Sequence, residues 1–238
     1  ELTNEVAASV LEKTEGWITG LQLAALLIDN VEDVEKLLSS LKGDFRLVSD
    51  FLVEEVLLKQ PVHIQDYLLS SAILDQFCAE LIEEINIATE SEQGEKVSGS
   101  DFIQCLVEAN LFIVVLDNQG KWFRYHHLFQ ELLLKQLIGH RKSEEIVAMN
   151  LRASHWLESK GFIEQAIRHA LAAENTVRAA EIVEKRRLTE INQDRWYILD
   201  HWLSLLPDGL KQQRPELLMA QAEVYASQQN LPALLTTL

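Results

Sequence analysis

Apolar positions along the chain recur mostly at i, i+3 and i+4, the spacing that places them on one face of a helix. The pattern predicts a helix over 3–15, with Thr3 or Asn4 as its N-cap, ended by Gly16. A second, largely apolar helix is predicted over 17–29, an amphipathic segment over 31–41, and another helix over 45–59, stopped by Pro61. From residue 62 the pattern changes. VHIQDYLLSSAIL (62–74) and QFCAELIEEI (76–85) read as two helices, INIATESEQGEKVSG (85–99) as a polar loop, and DFIQCLVEAN (101–110) as a third helix with Ser100 as N-cap. LFIVVLD (111–117) then reads as a strand, DNQG (117–120) as a turn and KWFRY (121–125) as the returning strand, before a helix begins at HHLFQELL. Three helices and a hairpin in that order are the layout of a winged helix.

Beyond Gly139 the chain reads as helix pairs. HWLESKGFIEQAI, from His155, and VYASQQNLPALL, from Val224, align with Trp156 on Tyr225, Gly161 on Asn230 and Phe162 on Leu231. The offset of 69 residues is close to twice the roughly 34-residue period of tetratricopeptide-type repeats. Gly161 and Asn230 both tolerate the left-handed backbone that ends a helix. Ala166, Ala170, Ala172, Ala173, Ala179 and Ala180 are small enough for close helix packing. The expected fold is therefore mainly α: a helical subdomain (1–61), a winged helix with one β-hairpin (62–139) and the start of a tetratricopeptide-like α-solenoid (140–238). The chain opens without Met and stops inside a helical pattern, so an internal fragment with a continuing solenoid is expected.

Charge narrows the partners. The net charge is −16, and the one compact basic run is Lys185, Arg186 and Arg187. A protein that binds nucleic acid through its own surface presents a basic face to the phosphates. The third helix of the predicted winged helix, the one that would enter a major groove, carries Asp101 and Glu108 and no Lys or Arg. Direct nucleic-acid contact is not expected, and internal docking is the expected use of the domain. Cys78 and Cys105 lack C-x-x-C spacing and read as buried free thiols of a reducing compartment. No run approaches the roughly 20 apolar residues of a membrane span. With no signal peptide visible, a cytoplasmic location and no membrane partner are expected.

Chemistry is sparse. G-x-x-x-x-G-K-[ST], G-x-S-x-G and H-E-x-x-H are absent, and the seven histidines form no i, i+4 pair. No nucleophile–base or metal set can be assembled, so the segment is not expected to be an enzyme and no metal or catalytic residue is assigned. Carboxylates fit the solvated faces of amphipathic helices. Trp196, Leu199 and Leu203 are spaced as a core-facing stripe, although Trp196, Tyr197 and Trp202 could also line a ligand groove. His126 and His127 stand where the hairpin gives way to a helix. Consecutive helical residues point about 100° apart, so the two rings cannot serve one ligand equally. At a helix N-terminus the dipole disfavours protonation, and exposed N–H groups with an imidazole donor suit an anion such as phosphate. A histidine that only caps the helix against the hairpin is the alternative.

Five ordered motifs carry a resemblance: GWITGLQLAAL (16–26), FLVEEVLLKQP (51–61), LLSSAILDQF (68–77), NLFIVVLDNQGKWFRYHHLFQELL (110–133) and AIRHALAAEN (166–175). Together they resemble the ATP-dependent LuxR-type transcriptional regulators of the MalT kind, signal-transduction NTPases with numerous domains (STAND). The resemblance implies an upstream P-loop domain in cis that binds ATP or ADP, and a downstream helix-turn-helix. Both would lie outside this segment, which by itself would hold no cofactor beyond a contact from His126. It implies that the first histidine of YHHLF, His126, corresponds to the histidine of the "MHD" motif in related proteins, which reaches the β-phosphate of ADP. His127 then falls at the Asp position. The family's G-W-P-[AS]-G has Pro where this chain has Ile18, which leaves adenine packing there unsupported. Inducer or a regulatory protein on the helical repeats, and self-association on activation, are implied as well. The competing expectation is a nucleotide-independent interaction scaffold of winged helix and helical repeats.

Overall fold

The computed structural model describes residues 52–87, 97–109 and 111–237. The helices predicted within 1–51, Ile18 and most of the polar loop lie outside the described residues. The chain divides into two compact units between Arg141 and Lys142, and the architecture is mainly α-helical with a single two-stranded sheet among the described residues.

In the first unit, Leu52–Leu57 forms a π-helical turn, closed by the Leu58 N–H donating to the Val53 carbonyl at 2.9 Å, where a continuous α-helix to residue 59 was expected. Pro61 then precedes α1 (Val62–Ser71) and accepts the Ile64 and Gln65 N–H groups. A proline suits this position because its missing N–H would have no helical partner anyway. Helix α1 ends at Ser71, short of the expected 74, and α2 covers Ala79–Asn86. Gln76–Cys78, expected as the first turn of α2, is not helical. Phe77 instead exchanges two backbone hydrogen bonds with Phe123, at 2.8 and 2.9 Å, and Cys78 becomes the buried N-cap residue of α2. Pairing with a strand 46 residues away overrides the local helical pattern.

Helix α3 covers Gly99–Glu108, and its N-cap is Ser98 rather than Ser100. The Ser98 hydroxyl accepts the Asp101 N–H at 3.1 Å and donates to the Asp101 carboxylate at 2.7 Å. Gly99 is required here: a Cβ would run into the Ala79 carbonyl at the start of α2, and the Gly99 N–H donates to Glu83 Oε1 at 2.8 Å. The hairpin follows as β1 (Ile113–Val115) and β2 (Phe123–Tyr125), antiparallel, with Ile113 opposite Tyr125 and Val115 opposite Phe123. It is shorter than the apolar runs that predicted it. Helix α4 (His127–His140) leaves directly from β2 and packs on α1. The core is aromatic and aliphatic: Leu68, Phe77, Leu81, Ile82, Phe102, Leu106, Phe129 and Leu133 are fully buried.

The second unit is a run of helical hairpins: α5 (Ser143–Ser159), α6 (Ile163–Ala172), α7 (Thr176–Asn192), α8 (Trp196–Leu205), the short α9 (Asp208–Gln213), α10 (Pro215–Ser227) and α11 (Leu231–Thr237). Consecutive long helices pack on each other, and α7 and α8 also pack on α10. Buried alanines permit the close approach: Ala153, Ala166, Ala170, Ala179, Ala180 and Ala220 have no exposed surface. Ala173 is buried as expected, whereas Ala172 faces solvent.

Four helix ends in this unit close in the same way. Phe162, Asn175, Arg195 and Asn230 each donate their N–H to the carbonyl five residues back, at 2.8 to 2.9 Å. The preceding residue of each, Gly161, Glu174, Asp194 or Gln229, has positive φ and donates to the carbonyl three residues back. This is the Schellman arrangement, which satisfies the last helical carbonyls. The left-handed residue is therefore Gln229, not Asn230; the Asn230 side chain instead accepts the Ala233 N–H of the next helix. Gly161 and Gln229 align at an offset of 68, one less than the sequence alignment gave. The turns of α5–α6, α7–α8 and α10–α11 recur after 33 and then 35 residues.

Candidate functional site

The chain passes from strand to helix within one residue. Tyr125 ends β2, His126 stands at the N-cap of α4 with an extended backbone (φ −60°, ψ 136°), and His127 is the first helical residue. The His126 N–H donates to the Phe112 carbonyl at 2.8 Å, continuing the hairpin ladder by one rung. Its carbonyl accepts the Phe129 and Gln130 N–H groups, each at 3.0 Å, which opens the helix. The imidazole itself makes no capping hydrogen bond to the helix. The capping alternative therefore describes the backbone of His126 and not its ring. His126 is half-buried and His127 is exposed.

Beneath this junction lies an aromatic cluster. Tyr125 is fully buried, its ring 4.7 Å from Phe77 and 5.7 Å from Phe129 between centroids, and Phe112 meets Phe129 edge-on at 4.9 Å. Such tilted and edge-to-face pairs suit the ring quadrupoles. The Tyr125 hydroxyl shares a 2.7 Å hydrogen bond with Ser71 Oγ, and burial pushes its ionisation well above the ordinary tyrosine range, so it stays neutral. Gln130, one turn into α4, donates its side-chain amide to the carbonyls of Ala72 and Leu74 at 3.1 and 2.9 Å. Phe112, which receives the His126 N–H, has φ +55°, a left-handed conformation uncommon for a bulky side chain.

Elsewhere in this unit, acidic side chains stand on α3 and in the hairpin turn. Asp101, Gln104 and Glu108 are exposed along α3, with Gln104 donating to the Glu108 carboxylate at 2.8 Å. Asp117, in the hairpin turn, accepts the Lys121 N–H, which holds its carboxyl below the usual range. The Cys78 thiol is pushed up to about 11 by burial, which leaves it a poor nucleophile at neutral pH. Cys105 is half-buried in α3. Among the described residues no three His, Cys, Asp or Glu side chains gather where they could hold a metal ion.

The second unit holds a polar cluster that sequence reading did not find. Arg178 Nε donates to Ser154 Oγ at 3.0 Å and its Nη2 to Glu158 Oε2 at 2.9 Å, while Ser154 donates to the Ala166 carbonyl. Lys185, from the one basic run, binds the other oxygen of Glu158 at 2.9 Å. Burial opposes ionisation of Glu158, but hydrogen bonds from Lys185 and Arg178 outweigh it and hold its pKa below the ordinary 4.5. Ser154 and Glu158 share a helix face at i, i+4, yet nothing local names Arg178, 20 residues on, as their partner. Buried His169 meets Asn150 at 2.8 Å. The aromatic stripe divides: Leu199, Trp202 and Leu203 are buried, Trp196 is half-buried against Tyr197, and Tyr197 is exposed.

Comparison with known proteins falls on the same segment. Residues 53–146 match the model of the MalT winged helix domain, which contains the whole hairpin, both histidines and α1 to α4. The chain is also similar to the serine/threonine-protein kinase PknK of Mycobacterium tuberculosis and of Mycobacterium bovis, 27% identical over 209 residues. That stretch is 88% of this chain but 18% of each kinase, so the chain spans under a fifth of the length of these curated relatives. No described helix is long and apolar enough to cross a membrane.

Proposed function

We propose that this chain is the regulatory and sensor segment of an ATP/ADP-switched transcriptional activator. In this reading its winged helix senses bound nucleotide through His126, and its helical hairpins receive an inducer or a regulatory protein. The observation that supports it best is the coincidence of the MalT winged-helix match at 53–146 with the placement of His126 at the N-cap of α4. Helix N–H groups without intrahelical acceptors, beside an imidazole that can donate, match the chemistry of a terminal phosphate. The segment itself performs no catalysis; nucleotide turnover and DNA binding belong to other parts of the full-length protein, and the acidic face of α3 does not suit DNA. The likeness to a kinase supports treating the segment as an input module that different outputs can share.

The mechanism is a population shift. ADP held between an upstream P-loop domain and His126 favours a closed form, and ATP with inducer on tetratricopeptide-like repeats favours an open one that self-associates. Substituting His126→Ala in the full-length protein is expected to weaken ADP retention and raise inducer-independent transcription. Unchanged ADP affinity and unchanged activity would dismiss the sensing role and leave the scaffold reading.

A further inference from the structure

The residues on either side of His126 are tied to one short segment. Tyr125, immediately before it, bonds Ser71 through its hydroxyl at 2.7 Å. Gln130, four residues after it, bonds the Ala72 and Leu74 carbonyls through its amide at 3.1 and 2.9 Å, and bonds the His126 carbonyl through its own N–H at 3.0 Å. Ser71 ends α1, Ala72 and Leu74 follow directly after it, and all three are buried to 1% exposure or less. A buried carbonyl left without a donor costs free energy, so these bonds are not readily exchanged. His126 is thus bracketed by two tethers, each spanning more than 50 residues of sequence, that converge on residues 71–74.

We propose that Gln130 is a positioning residue for His126: its amide locks the first turn of α4 to the end of α1 and so fixes where the imidazole stands. The proposal rests on the nucleotide-sensing reading of His126. Gln130 does not touch the nucleotide and acts only through the histidine. Its planar amide is suited to this because two N–H donors on one nitrogen can serve two adjacent carbonyls. Methionine, of similar length, keeps the packing and removes both donors.

The test is a double-mutant cycle in the full-length protein, with release of a fluorescent ADP analogue as the readout. Gln130→Met is expected to speed release about tenfold when His126 is present and to change it less than about twofold in the His126→Ala background. Tyr125→Phe, which removes the other tether and keeps the ring, is expected to show the same dependence with a smaller effect. It carries the test if Gln130→Met does not fold by circular dichroism. Equal acceleration in both backgrounds would overturn the proposal, because a general loosening of the domain does not need the histidine. So would no acceleration by either variant while His126→Ala remains effective. Failure of His126→Ala alone to alter release would remove the nucleotide reading together with this inference, a result distinguishable by which variant is silent.

Discussion

The two units of this chain hold themselves together by opposite means. The winged-helix unit relies on contacts between residues far apart in sequence: Phe77 with Phe123, Ser71 with Tyr125, and Gln130 with Ala72 and Leu74. The helical-hairpin unit relies mostly on a local device used four times, the Schellman turn, and on alanines that let neighbouring helices approach, with ion pairs such as Arg178–Glu158 joining helices across 20 or more residues. The first kind of architecture concentrates specificity in a few irreplaceable atoms. The second spreads it over equivalent positions, so that no single turn is decisive.

Substitutions can break that contrast. The largest effect is expected at Gly99→Ala, where a methyl group meets the Ala79 carbonyl and displaces backbone; a loss of about 3 kcal/mol is expected for overpacking against main chain. Hydrogen exchange should rise across 62–140 and stay unchanged across 143–237; uniform exchange would show that the two units do not respond separately. Next comes Arg178→Met, which removes a donor from both Glu158 and Ser154 and is expected to cost the hairpin unit about 2 kcal/mol by urea unfolding. The same cluster gives a pH dependence with a definite sign. Because folding lowers the Glu158 pKa below 4.5, its contribution is present above that value and is lost as pH falls through the folded pKa. Glu158→Gln should flatten the acid limb of the stability curve, and an unchanged limb would assign acid sensitivity elsewhere.

The smallest effect reverses sign. Glu174, Asp194 and Gln229 hold φ of 55–56°, where a side chain costs about 1–2 kcal/mol and glycine costs none. After the greater entropy that glycine loses on folding, Glu174→Gly is expected to stabilise the hairpin unit by about 0.5 kcal/mol, read as a raised urea midpoint. Gly161→Ala is expected to destabilise by a similar amount. Loss of stability in Glu174→Gly would show that the Glu174 side chain, rather than the turn geometry, governs that helix end.

The same contrast decides what was legible in sequence. The mainly helical character, the hairpin and the helix leaving it were readable, because periodicity and the DNQG turn are local signals. The helix start at Gln76 was misread because Phe77 answers to Phe123, and no local pattern contains a partner 46 residues away. Ser98 could have been recognised as the N-cap of α3 from its S-x-x-D spacing to Asp101, which Ser100 lacks. Of the four left-handed helix ends, only Gly161 announced itself; glutamate and glutamine give no warning of positive φ, and aspartate only a weak one. At the candidate site His126 stood out by its motif, but Gln130 did not, since its role exists only once α1 and α4 are side by side.

The bond from Gln130 to Leu74 also has a consequence in time. Its donor and acceptor are 56 residues apart, so the end of α1 must wait for the whole hairpin and the first turn of α4 before its carbonyls find their donor. Structures built from distant pairings form more slowly than those built from neighbours. The helical hairpins, synthesised later, close over separations of a few tens of residues at most. The winged helix is therefore expected to refold more slowly than the helical hairpins, a difference that stopped-flow fluorescence would read.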